Sequence, residues 1–107
     1  MKRWSLEYWS SGAGKGPVEK WLEKLTEEQF EAIYGEMRLL SEIGNELRLP
    51  HSKALSQGLF ELRERTYGFR IYYGFKKKQI IILLAAGNKT SQAKDIKIAR
   101  ERLLQCE

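Results

Sequence analysis

The sequence is poor in the residues that most often carry chemistry. It has one cysteine, Cys106, and one histidine, His51. A single thiol forms no internal disulfide, which fits a reducing, cytoplasmic setting. These two lone groups, far apart in sequence, supply no ligand cluster for zinc, and nothing around His51 has the pattern of a nucleophile and its base. No cofactor is expected. Long apolar runs are also missing. The longest, Ile80 to Ala86, falls far short of the roughly 20 residues that span a bilayer. Met1 to Trp9 contains two basic residues but no apolar stretch of the secretory kind. One near-match to a phosphate loop, Ser10 to Gly16, lies between a strand-like and a helix-like segment. It fails because Trp9 occupies the place of the first glycine and Gly16 that of the metal-binding hydroxyl residue.

What is present describes one domain, residues 1–107. A chain of 107 residues buries roughly two thirds of its unfolded surface. Its 42% hydrophobic and 11% aromatic content separates it from disordered chains. Charge is unevenly divided. Residues 1–50 carry 7 Lys/Arg and 9 Asp/Glu, a net of −2, and residues 51–107 carry 12 and 5, a net of +7. The C-terminal half therefore offers a positive surface to a phosphate-rich partner. A net charge of this size also serves solubility alone.

The hydrophobic pattern gives the order β-α-α-β-β-β-α. Arg3 to Trp9 alternates, with Trp4, Leu6 and Tyr8 on one face. Pro17 suits the first turn of a helix bearing Val18, Trp21, Leu22 and Leu25. Thr26 and Gln29 have capping-box spacing ahead of a second helix, whose stripe is Phe30, Ile33, Tyr34, Met37 and Leu40. That stripe is expected to pack on a sheet. From residue 59 the period shortens to two. Phe60, Leu62 and Glu64 point one way, and Glu61, Arg63 and Arg65 the other. Thr66 to Gly68 is a turn, Phe69 to Phe75 a strand, and Lys76 to Lys78 a solvated hairpin tip. Gln79 to Ala86 is apolar without alternation, as in a central strand covered on both faces. After the turn Gly87–Lys89 comes a helix, Ser91 to Gln105, with Ala93, Ile96, Ala99 and Leu103 on its apolar side. The fold class is α+β: a small, mostly antiparallel sheet with an N-terminal helix hairpin and a C-terminal helix.

One constellation of side chains stands out. Arg63 and Arg65 share a strand face, Arg70 follows on the hairpin partner, and Lys89 lies in the turn after the central strand. Alternation puts Tyr72 on the face of Arg70. Cations interleaved with an aromatic ring suit a single RNA strand, gripped by its phosphates and stacked on the ring. The same arginines also suit ion pairs with Glu61 or Glu64 on an exposed sheet face. Pattern alone leaves both readings open.

The segments Lys53-Ala54-Leu55, Gly58-Leu59-Phe60-Glu61-Leu62-Arg63, Phe69-Arg70-Ile71-Tyr72-Tyr73 and Gly87-Asn88-Lys89-Thr90 resemble the HigB-like, phage-derived branch of the RelE/ParE toxin superfamily. This resemblance implies a RelE-like fold and the toxin of a type II toxin–antitoxin pair. The activity it implies is metal-independent, ribosome-dependent cleavage of mRNA, in which the 2′-OH attacks the adjacent phosphate. Its implied partners are the ribosome, mRNA and a small helix-turn-helix antitoxin, through which alone DNA would be contacted. By this resemblance Arg70 and Lys89 sit at the scissile phosphate, and Arg63, Arg65, Lys53 and Tyr72 hold RNA. Many such toxins carry a Tyr or His in the last helix region. Here Asp95 stands near that place and no Tyr or His follows Tyr73, so the proton-transfer group is left among Lys89, Lys53 and His51. The alternatives are a ParE-like inhibitor of DNA gyrase and a non-catalytic nucleic-acid-binding relative.

Overall fold

The computed structural model describes residues 3–106. A five-stranded sheet has the spatial order β1-β5-β4-β3-β2, built from β1 (Ser5–Tyr8), β2 (Ser52–Ala54), β3 (Phe60–Glu64), β4 (Phe69–Lys76) and β5 (Ile80–Gly87). Three ladders are antiparallel, and β1 alone runs parallel to its neighbour, pairing Ser5 with Ile80 and Tyr8 with Leu83. The expected α+β order is found, with one addition. β2 has three residues, too few to show a period, and it follows directly on the Leu49-Pro50-His51 connection. It forms the edge beside β3.

The two N-terminal helices, α1 (Pro17–Glu23) and α2 (Glu27–Ile43), cover one face of the sheet. Pro17 stands in the first turn of α1, where its missing N–H costs no helical hydrogen bond. The Thr26 capping box is formed as read: Thr26 Oγ1 accepts from the Gln29 amide at 3.2 Å, and Gln29 Oε1 accepts from the Thr26 amide at 3.0 Å. Gly44 ends α2 with a φ of +64°. A side chain there would also run into the Trp4 indole, so glycine is required twice over. Ile33, Met37 and Leu40 pack into the core with Leu62, Ile71, Tyr73, Ile81 and Leu83. Phe30 and Tyr34 depart from the expected stripe. They lie four residues apart at its margin, stack on each other at 5.4 Å and stay exposed.

The third helix, α3 (Gln92–Leu104), covers the opposite face through Ala99, Ile96 and Leu103, packed on Leu59, Tyr72, Ile82, Leu84 and Ala85. β5 is thus buried on both sides, as its unbroken apolar run requires. An irregularity in the β4–β5 ladder pairs Tyr72 with Ala85 but Tyr73 with Leu83. Leu84 is left as the extra residue, and both Leu84 and Ala85 pack beneath α3. Tyr72 therefore points towards α3, and Tyr73 towards α2. Among the described residues no helix is long and apolar enough to cross a membrane.

Candidate functional site

The expected cations converge where β3, β4 and the turn before α3 meet. A cleft of about 460 Å³ is lined by Arg63, Glu64, Arg65, Tyr67, Gly68, Arg70 and Lys89. This volume lies within the roughly 300–1,000 Å³ range of ordinary ligand sites. Strand pairing creates the convergence. Arg63 stands directly opposite Arg70 in the β3–β4 ladder, and Arg70 stands opposite Gly87 at the end of β5. The chain then turns through Asn88, whose side chain accepts from the Thr90 amide at 2.9 Å and holds Lys89 at the cleft.

Two arginines placed directly across a ladder repel each other. Here the buried carboxylate of Glu61 offsets that repulsion. Glu61 Oε1 accepts from Arg63 Nε at 2.8 Å, and Oε2 accepts from Gln92 Nε2 at 2.7 Å. Arg70 Nε lies 3.3 Å from Oε2, close enough for an ion pair but outside hydrogen-bond geometry. Burial by itself would raise the Glu61 carboxyl. The hydrogen bonds from Arg63 and Gln92 and the charges of Arg63 and Arg70 outweigh it and hold the group below its ordinary range. Glu61 thereby ties β3, β4 and the first residue of α3 together.

Neither guanidinium is saturated by this arrangement. Arg63 spends one donor on Glu61, and Arg70 gives one Nη1 bond to the Gly68 carbonyl at 3.1 Å. Each guanidinium has five N–H donors, so several remain for an anion in the cleft. Both readings left open by the sequence are therefore realised together: the arginines pair with Glu61, and they also line a cationic concavity.

The remaining expected residues are distributed less simply. Arg65 lies one residue beyond β3, exposed in the turn, and reaches the cleft from there instead of from the strand face. Glu64 is the last residue of β3. Its carboxylate accepts from the Thr66 and Tyr67 amides at 2.7 and 3.0 Å and fixes the turn. Tyr72 was expected to offer its ring to RNA, and the structure corrects this. The ring is completely buried under α3, with no free face. Burial and the neighbouring Glu61 carboxylate also push its hydroxyl pKa upward. The face was read correctly; the helix that covers it was not visible in the alternation of β4. Lys53 is exposed on β2 opposite Glu61 in the ladder and is not among the residues that line the cleft. His51 is held elsewhere, its Nδ1 lying 2.9 Å from Glu36 Oε1 on α2. Of the three proton-transfer candidates, only Lys89 lines the cleft.

Asp95 is a neighbour of the cleft but not part of its lining. It is buried over Gly87 and accepts a 2.6 Å hydrogen bond from Ser91 Oγ. A Cβ on Gly87 would collide with both of these side chains. Gly87→Ala is accordingly expected to cost about 2 kcal/mol of stability by displacing the buried Asp95 carboxylate and its Ser91 hydrogen bond, measurable by urea denaturation. Among the described residues, no three His, Cys, Asp or Glu side chains gather in a group able to hold a metal ion.

Residues 20–104 match the phage-derived protein Gp49-like family (DUF891). The chain belongs to that family. Within this Gp49-like chain, a stretch of 49 residues is 41% identical to an uncharacterized protein of Haemophilus influenzae strain Rd. The match covers 45% of this chain and 50% of that protein, so the chain spans about half the length of this relative. The Gp49-like fold is also similar to the crystal structure of the isolated E. coli RelE toxin. The TM-score is 0.58 over 88% of this chain and 96% of the toxin chain, at 11% identity. At that identity the likeness is one of fold. It agrees with the RelE-like architecture expected from the sequence.

Proposed function

We propose that this protein is the toxin of a type II toxin–antitoxin pair and that it cleaves mRNA on the ribosome in the cytoplasm. The observation that carries this reading is the open cleft in which Arg63, Arg65, Arg70 and Lys89 meet on a RelE-like fold. Cleavage by the 2′-OH of the RNA requires an in-line geometry and stabilisation of the charge that builds on the phosphorane oxygens. Arg70, held by Glu61 and the Gly68 carbonyl, is the preorganised cation for the scissile phosphate. Arg63 and Arg65 hold the phosphates on either side. The 2′-OH gives its proton to solvent water as its oxygen bonds to phosphorus and the P–O5′ bond breaks, and Lys89, in the turn before α3, gives a proton to the departing 5′ oxygen. The products are a cyclic phosphate and a 5′-OH. The partner is a small helix-turn-helix antitoxin that neutralises the toxin and contacts DNA on behalf of the pair.

Primer extension after induced expression tests this reading. A translated mRNA is expected to be cut, while its twin lacking a start codon remains intact, and growth stops. Growth arrest with both transcripts intact would replace this reading with gyrase inhibition. No arrest and no cutting would leave a non-catalytic relative.

A further inference from the structure

Tyr67 is the aromatic residue in the lining of the cationic cleft. The residue is 42% exposed, but it is not loosely attached. One face of its ring stacks on Phe69, with centroids 5.4 Å apart and planes at 21°. Phe69 is buried and meets Trp21 of α1 edge to face at 5.1 Å. The Tyr67 backbone is tied down as well, its amide donating to Glu64 Oε1 at 3.0 Å. Beyond it, Gly68 takes a φ of +76° to complete the turn into β4. The result is a three-ring series running from core to surface, and its last residue lines the cleft together with Arg63, Arg65, Arg70 and Lys89.

An aromatic ring backed in this way loses little further freedom when a flat group settles on it. Cations around it select a polyanion, and every nucleobase has a π face to offer. We propose that Tyr67 is the platform on which one unpaired base of single-stranded RNA stacks while Arg70 and its neighbours hold the adjoining phosphates. This proposal rests on the RNA-binding reading of the cleft. It assigns the base-contacting role, expected of Tyr72, to a residue in the turn instead. Stacking uses the ring and not the hydroxyl, which separates it from a role in proton transfer.

The test is ribosome-free equilibrium binding of a labelled single-stranded RNA, 2′-O-methylated so that it is not cut. Wild type, Tyr67→Ala, Tyr67→Leu, Tyr67→Phe and Arg70→Ala are compared, with an abasic version of the same strand as the second ligand. Tyr67→Leu keeps an apolar cover over Phe69 and so controls for damage to the turn. Tyr67→Ala and Tyr67→Leu are expected to bind on the order of 10-fold more weakly, and Tyr67→Phe within about twofold of wild type. On abasic RNA the Tyr67 deficit is expected to vanish. The salt slope is expected to stay that of wild type in the Tyr67 variants and to become shallower by about one in Arg70→Ala. Wild-type affinity in Tyr67→Ala, or an equal loss in Tyr67→Phe, would overturn the platform. Weakening by Arg70→Ala alone would remove the platform and leave the RNA-binding cleft standing. No binding by wild type or any variant would remove both.

Discussion

Replacing Arg70 by alanine is expected to slow RNA cleavage about 10³-fold and to abolish growth arrest, with the fold intact. The expectation rests on the position of Arg70 in the wall of the cleft, between Arg63 and the end of β5. Glu61 and the Gly68 carbonyl hold its guanidinium before any ligand arrives. Stabilisation of a developing phosphorane charge then needs no reorganisation. Glu61 would keep its hydrogen bonds from Arg63 and Gln92 in the variant, so no carboxylate is left buried alone. Arg70→Lys preserves a charge but loses the planar fork, and an intermediate rate is expected. Primer extension on a translated mRNA, read beside a thermal melt of each purified variant, checks both halves of this expectation. Full toxicity in Arg70→Ala would overturn the assigned role.

The second large effect belongs to stability. Glu61→Ala is expected to lower unfolding free energy by about 3 kcal/mol, since it strips a buried carboxylate from the cations it joins. For a domain of this size that corresponds to a fall in Tm of about 15 °C. Two consequences combine in this variant. Arg63 and Arg70 then face each other across the ladder without an anion between them. Gln92 also loses its acceptor, so the first turn of α3 is untied from β3. Calorimetry of the variant measures the total. A Tm within a few degrees of wild type would show that the arginines relax into solvent without loss.

The same carboxylate sets a pH dependence whose sign follows from its lowered pKa. A group held below its ordinary value of 4.5 stabilises the folded state fully above that value. This stabilisation is lost as the pH falls towards and through the depressed folded value. Urea denaturation is therefore expected to show wild-type stability declining below about pH 4.5, with a shallower decline in Glu61→Gln. Equal slopes for the two proteins would assign acid sensitivity to other carboxylates.

Much of the fold was readable because its signals are local. The Thr26–Gln29 capping box depends on residues three apart. The unbroken run of β5 reports cover on both faces. β2 carries no such signal, because three residues are too few to establish a period. Phe30 and Tyr34 fitted the apolar spacing of α2, yet a stripe gives no indication of where the sheet beneath it ends.

The cleft was legible only in part. Arg63, Arg65, Arg70 and Lys89 were identifiable from charge, alternation and family resemblance, and all four line the same concavity. Tyr67 was hidden by its place in a turn, where an aromatic residue carries no periodic signal. What could have marked it is its position between two strands that both bear arginines.

The sequence by itself determined the α+β class, the order of the main elements and the identity of the cations, because capping, periodicity and charge are properties of neighbours along the chain. Tertiary structure decided that Tyr72 is buried, that Tyr67 stands at the cleft and that Glu61 joins three elements. Those outcomes depend on which helix covers which face of the sheet and on the register between strands. Both are settled by contacts between residues distant in sequence, such as Glu61 with Gln92, which no local pattern encodes.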